Sequence, residues 1–285
     1  MLRHTFIHVP GAGPKTELKL WERGILSWED YLTNPGQLGL SRQNRLNLDE
    51  YIEKSLEALK CNDTFFFERL LPKREIWRIY PEFKDRCVFL DIETTGLRRQ
   101  NDYVTIIGLF NGRQIKTFIK GQNLEDFAAE LKNYSVIVTY NGKCFDIPFI
   151  ESEFKDFRFT QAHIDLRYFL HRLGYSGGLK QVEINVGIQR GKGLEDIDGY
   201  FAVILWQKYL EGDERALHAL VRYNIEDVVN LKYLMEFGYN RMIEFFPIPV
   251  DYLEPEKEIR FDVPFDASIV QEIKGEMGWG AANLT

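Results

Sequence analysis

Asp91 and Glu93 stand two residues apart in Asp91-Ile-Glu-Thr-Thr-Gly-Leu97, at the end of the apolar run Arg86-Cys-Val-Phe-Leu-Asp91. If that run is a buried strand, a spacing of two puts both carboxylates on one face. Like charges in an apolar setting raise each other's pKa unless a cation joins them. Alone, Asp-x-Glu is more often a strand that ends in water. A second acid, Asp146, follows in Tyr140-Asn-Gly-Lys-Cys-Phe-Asp146-Ile-Pro-Phe-Ile150, crowded by Phe145, Ile147, Phe149 and Ile150. A surface Asp there would only complement a helix dipole. Amid such apolar density it calls for a partner. A third element, Leu217-His-Ala-Leu-Val-Arg-Tyr223-Asn-Ile-Glu-Asp227-Val-Val-Asn-Leu-Lys-Tyr-Leu234, carries an apolar stripe at 217, 220, 221, 228, 231 and 235. At 100° per residue Asp227 falls on the edge of that stripe, with Tyr223 one turn earlier on the same side. Glu226 is expected to point elsewhere, as a solvated surface acid, and an isolated Tyr223 would be a core-edge aromatic.

The elements that must hold these residues alternate strand and helix. Strands are expected at 86–91, 103–110, 114–119 and 135–140, with Asn111-Gly112 marking a hairpin between the second and third. Helices are expected at 123–131 with Asn123 as cap, 144–154 with Pro148 in its first turn, 166–173 capped by Asp165, 179–186, 203–210 and 213–237. Three strands followed by strands mixed with helices predict an α/β fold, a mixed sheet with helices packed on it. Residues 1–85 read as a small helical N-terminal region. It holds a short helix from Thr16 to Glu22, a capping-box spacing in Ser27-Trp-Glu-Asp30, and an apolar face at 48, 52, 56 and 59. Residues 86–249 form the αβ domain, and 250–285 an acidic, weakly patterned tail.

In order and spacing, Asp91-x-Glu93-Thr-Thr-Gly, Asn141-Gly-x-x-Phe-Asp146-x-Pro-Phe and Tyr223-x-x-x-Asp227 resemble the DEDD 3′–5′ exonucleases of the RNase H-like superfamily, in their tyrosine (DEDDy) form. His163-Ile-Asp-Leu166, Gly178-Leu-Lys-Gln-Val-Glu183 and Asp196-Ile-Asp-Gly199 are also similar to the YprB-like branch, where His-Asn is commoner at the position of Tyr223. The resemblance implies an RNase H-like mixed sheet and phosphodiester hydrolysis at single-stranded 3′ ends. It also implies two divalent cations, Mg²⁺ or Mn²⁺, roughly 3.5–4 Å apart on oxygen ligands. Asp91 would bridge the cations, Glu93 and Asp227 would hold the water-activating site, and Asp146 the leaving-group site. Tyr223 would orient the attacking water, its ordinary pKa near ~10 making it a poor base. Thr94, Thr95 and Gly96 would meet the terminal nucleotide with hydroxyl and N–H groups, and Asn141 its sugar or phosphate. A non-catalytic nucleic-acid-binding or scaffold protein that keeps the fold, and an RNase H-like endonuclease, are the competing readings. The presence of all four acids and the tyrosine argues against the first, and the Tyr-x-x-x-Asp helix against the second.

Composition bounds the partners. The chain has 285 residues and a formal net charge of −7. Residues 1–85 carry 13 basic and 13 acidic side chains, 86–249 carry 20 and 22, and 250–285 carry 3 and 8. Two bound divalent cations would turn the middle segment from −2 to +2, so the bare charge does not exclude nucleic acid. Three scattered cysteines exclude a disulfide scaffold and a zinc ribbon, and fit a reducing compartment. With no leader and no span of ~18 apolar residues, a cytoplasmic protein without a membrane segment is expected. Pro10-Gly-Ala-Gly-Pro-Lys-Thr16 resembles the hairpin of a helix–hairpin–helix module, which would offer Lys15 and backbone N–H groups to a DNA phosphate and favour DNA slightly over RNA. Thr5-Phe-Ile-His-Val9 before it looks like strand, and a tight turn docking one helix explains the loop equally well.

Overall fold

The computed structural model describes residues 1–33, 39–191, 193, 197–257, 259, 261, 263 and 265–278. Five strands form one mixed sheet in the order β3-β2-β1-β4-β5. They are β1 (Cys87–Thr94), β2 (Val104–Phe110), β3 (Ile115–Ile119), β4 (Val136–Thr139) and β5 (Ala162–Asp165). β1 pairs antiparallel with β2 and parallel with β4; β2 pairs antiparallel with β3, and β4 parallel with β5. The helices are α1 (Pro14–Glu22), α2 (Trp28–Thr33), α3 (Arg42–Lys60), α4 (Thr64–Leu70), α5 (Tyr80–Phe83), α6 (Phe127–Leu131), α7 (Asp146–Glu153), α8 (Leu166–His171), α9 (Leu179–Val186), α10 (Gly199–Leu210), α11 (Glu214–Ile243) and α12 (Ser268–Glu276). The expected α/β mixed sheet with flanking helices and a helical N-terminal region is the observed architecture.

The alternation of β1 decides where the acids go. Val88, Leu90 and Ile92 join a buried cluster with Phe127, Leu131, Phe149 and Ile150 of α6 and α7. Cys87 and Phe89 face the other way, into the cluster that includes Val228, Leu231 and Met235 of α11. With a period of two, Asp91 and Glu93 must face α11 as well. A register shift in the β1–β2 pairing between Glu93 and Thr94 then re-aims the strand end, as bulges do.

Several local expectations fail for identifiable reasons. β5 was not anticipated: its four residues, Ala-His-Ile-Asp, are too short to show a period. Asn123 stands at the N-cap of the 3₁₀ turn Leu124–Asp126, but its side chain makes no cap hydrogen bond. Its Oδ1 accepts from Ile119 N and its Nδ2 donates to Thr117 O, so it closes the end of β3, and the chain enters α6 through a 3₁₀ turn. Thr5–Val9 is not a strand; a 3₁₀ turn at Leu2–His4 leads into a bend. The weakly patterned tail holds α12, whose Ile269, Val270 and Ile273 pack on α10 and α11. Asp196 of the quoted Asp196-Ile-Asp-Gly199 lies outside the described residues, but Asp198 caps α10 by accepting from Phe201 N at 2.8 Å.

The N-terminal region packs on the sheet domain. One buried cluster runs from Leu2 and Phe6 through Trp77 to Tyr239. Trp77 stacks on Phe169 at 5.6 Å, and Tyr80 donates to Glu236 of α11 at 3.1 Å. A buried Arg78 joins Glu17 and Glu75 at 3.0 Å, locking α1 to the segment that precedes β1. Ser27 and Asp30 form the expected reciprocal cap at 3.1 and 2.9 Å. The Pro10–Gly13 bend docks on α3, where Asn47 Nδ2 donates to Pro10 O at 2.8 Å and Gly11 (φ +84°) leaves room for Asn44.

Candidate active site

A cavity of about 850 Å³ opens at the carboxyl ends of β1 and β4, the end of an αβ sheet at which ligands collect. Asp91, Glu93, Asp146, Tyr223 and Asp227 all line it, with Thr94, Thr95, Gly96 and Asn141. One carboxylate oxygen each from Asp91, Glu93 and Asp227 lie within 4.8 Å of one another. Asp146 begins α7 and is buried on the same cavity wall, although it is outside that tightest group. Lys15 is exposed at the start of α1 and is not among the lining residues.

Burial drives the electrostatics. It pushes the Asp91 carboxyl well above its ordinary range, and the charges of Asp227, Asp146 and Glu93 push it further. Glu93 is raised in the same way by burial, then by Asp227 and Asp146. Burial lifts Asp146 to about 7 against backbone hydrogen bonds that favour its charge. It lifts Asp227 to about 6, restrained by the Arg190 guanidinium. Burial, then the charges of Asp227 and Glu93, hold the Tyr223 phenol above its usual range and so neutral. Four carboxylates that resist ionising together, all offering oxygen, fit a hard divalent cation, which would restore the charged forms.

Two residues that sequence reasoning passed over hold this arrangement. Asn224 Nδ2 donates to Asp91 at 2.9 Å. It can lie over the sheet because its neighbour there is Gly108, the β2 partner of Asp91; a Cβ at Gly108 would meet Asn224 Oδ1 at 2.1 Å. The signal was present, since Asn224 is the polar gap in the stripe of α11 between Leu220 and Val228. Arg190, after α9, pairs with Asp227 and with Glu183 at 2.7 Å, and its guanidinium lies 5.3 Å from the centre of the Tyr223 ring. No spacing in the sequence marks Arg190, because it reaches the site from a loop.

Other expectations are adjusted. Glu226 is not a solvated acid. It is buried, accepting from Gly191 N at 3.2 Å and from Arg222 at 3.2 Å, so it anchors the loop that carries Arg190. Its absence from the cavity wall agrees with the helical phase. Thr95 N donates to Tyr103 O and Thr94 Oγ1 to Gly96 O, so these two donors are already engaged within the loop. Asn141 sits in the left-handed region (φ +66°), tolerable for Asn, and its Oδ1 accepts from Arg167 at 2.8 Å. Asp165 caps α8 as expected and also accepts from Asn141 N and Lys143 N, fixing the turn beside Asp146.

Among the described residues no helix is long and apolar enough to cross a membrane. No curated protein matches the chain. Among solved structures, the family B DNA polymerase of Pyrobaculum calidifontis aligns at 18% identity with a TM-score of 0.42, over 55% of this chain and 24% of that one, so this chain spans about a quarter of the polymerase. Brucella melitensis NrnC bound to pGG aligns at 17% identity with a TM-score of 0.38, over 71% and 90% of the two chains. The family model described as RNase_H superfamily matches residues 88–239. All four carboxylates of the cavity, Tyr223 and all but the first residue of the sheet fall inside that match, and the chain belongs to the RNase H superfamily.

Proposed function

We propose that the protein is a metal-dependent 3′–5′ exonuclease of the DEDDy type, in its YprB-like branch, hydrolysing phosphodiester bonds at single-stranded nucleic-acid ends. The observation that carries this is the convergence of Asp91, Glu93 and Asp227 oxygens within 4.8 Å, with Asp146 and Tyr223 on the same wall. Asp91, Glu93, Asp146 and Asp227 would hold two Mg²⁺ or Mn²⁺ ions. Such a pair, when bound, neutralises charge on the attacked phosphate and lowers the pKa of water.

The chain's own residues do the rest. Asn224 orients the Asp91 carboxylate through its 2.9 Å hydrogen bond. Arg190 holds Asp227 and Glu183 in place. Tyr223, kept neutral, offers its hydroxyl to position a water rather than to deprotonate it. Leu97 and Tyr200, both largely exposed, stand at the cavity wall where a terminal base would enter. Thr94, Thr95, Gly96 and Asn141 border the same space and would meet the terminal nucleotide. Lys15 would serve only substrates long enough to reach α1, with DNA slightly favoured over RNA.

The test uses 5′-labelled DNA and RNA oligonucleotides with Mg²⁺, Mn²⁺ or chelator. Stepwise shortening that requires the cation is expected. Internal fragments would indicate an endonuclease, and binding without cleavage a scaffold.

A further inference from the structure

A second cleft, of about 320 Å³, lies beside the acidic cavity. The two share the Asn141–Lys143 turn: Asn141 lines the cavity and Lys143 lines the cleft. Asp165, also on the cleft, fixes that turn by accepting from the backbone of both residues, at 2.8 and 3.0 Å. One wall of the cleft comes from β5 and α8; the other comes from Lys73, Arg74 and Trp77, outside the segment that matches the superfamily.

The chemistry of this cleft differs from that of the cavity. Lys73, Arg74, Lys143 and Arg172 line it against two acids, Glu68 and Asp165. Asp165 is taken up by the N–H groups of Asn141, Lys143 and Arg167. Glu68 is matched by Lys73 at 2.9 Å. Arg172 is bound to Glu75 and the Arg74 carbonyl. Lys143 and Arg74 stand as exposed cations at the rim; Arg74, 70% exposed, makes a 3.6 Å ion pair with Glu75, a carboxylate it shares with Arg172 at 3.0 Å. The floor is apolar, with Trp77 stacked on Phe169, and Tyr168 stands beside it with half its surface in water. Cations at a rim, an aromatic face and an apolar floor match a nucleotide, phosphate outward and base inward.

We propose that this cleft is a second subsite for single-stranded nucleic acid, receiving an upstream nucleotide of the strand whose 3′ end enters the acidic cavity. The proposal rests on the exonuclease reading for the direction of the strand. It makes the N-terminal region part of the substrate path by way of Lys73–Trp77, independently of Lys15.

The full-length protein should be tested by fluorescence anisotropy with labelled oligo-dT of three and twelve nucleotides, in Ca²⁺, followed by hydrolysis in Mn²⁺. The variants are Arg74→Glu with Lys143→Glu, and Tyr168→Ala; all three side chains are exposed, so the fold should hold, as circular dichroism would verify. The twelve-mer should bind about tenfold more weakly to either variant. The salt slope of the charge-reversal variant should fall by about 1.4, the value for two phosphate contacts. Binding and cleavage of the three-mer should change less than about twofold. If the wild type binds and cleaves but both variants match it on the twelve-mer, the subsite is refuted and the exonuclease reading stands. Equal losses on both lengths would refute it too, by assigning these residues to the acidic cavity. If the wild type neither binds nor cleaves either substrate, the exonuclease reading fails and the subsite with it.

Discussion

Replacing Arg190 by Met should destabilise the metal-free protein and, at the same time, make it respond more strongly to Mn²⁺. The Arg190 side chain is 6% exposed, and its carboxylate partners Glu183 and Asp227 are 2% and 8% exposed. Removing one member of a buried pair costs about 3–5 kcal/mol, because the other charge is left without compensation. Two features reduce that here. Asn230 Nδ2 still donates to Glu183 at 2.9 Å. Arg190 Nη1 is itself a buried donor without a partner, and its removal returns about 1–2 kcal/mol. The net loss is then about 2–3 kcal/mol, a fall in Tm of roughly 4–12 °C at ~2–4 °C per kcal/mol. A cation on Asp227 replaces what the guanidinium supplied and no longer competes with it, so saturating Mn²⁺ should raise Tm more in the variant than in the wild type. Thermal denaturation in chelator and in Mn²⁺ measures all four values. An Arg190→Met protein as stable as wild type in chelator, or a Mn²⁺ shift larger in the wild type, would refute the reasoning.

Tyr223→Phe keeps the ring and deletes one hydroxyl; Mn²⁺ binding should persist while kcat falls about 10- to 10³-fold, or ~1.4–4 kcal/mol, with KM little changed, as single-turnover and steady-state rates would reveal. Asp227→Asn should lose both activity and the Mn²⁺ shift, whereas Glu226→Gln should cost only about 1 kcal/mol of stability through the Gly191 loop and keep its Mn²⁺ shift; the reverse pattern would misplace the third motif by one residue. The pH dependence has a definite sign. Asp146 is raised to about 7, so the folded protein binds more protons than the unfolded chain between that value and ~4, and this group's contribution falls as pH rises. Buried His8 and His163, held down to about 3 and about 4 by burial, act in the opposite direction up to their unfolded value near ~6.5. The carboxylate effect is therefore read as a difference: in chelator, Asp146→Asn should match wild-type stability near pH 4 and exceed it increasingly toward pH 8, and a constant difference would contradict the account.

The sheet was legible because β2 is a fully buried apolar run and β1 is buried except at Asp91, and because Asn111-Gly112 marks the hairpin (Gly112 has φ +87°). The acidic residues were legible because strand and helix periods fix their faces: Asp91 and Glu93 by a period of two, Tyr223 and Asp227 by one helical turn. What escaped depends on contacts between distant segments. Arg190 enters from a loop, β5 is too short to carry a pattern, and Glu226 is buried only because the Gly191 backbone folds over it. The same limit hid the basic cleft, whose two walls are separated by about a hundred residues, as the Arg172 contacts to Arg74 and Glu75 illustrate.

The central claim is that Asp91, Glu93, Asp146 and Asp227 together hold the catalytic cations. Anomalous diffraction from crystals grown with Mn²⁺ tests it most directly. The account predicts two Mn²⁺ peaks roughly 3.5–4 Å apart in the cavity between β1 and α11, bound by these four carboxylates, with Arg190 drawn back from Asp227. A cavity without Mn²⁺ at saturating concentration, with Arg190 still on Asp227, would contradict it.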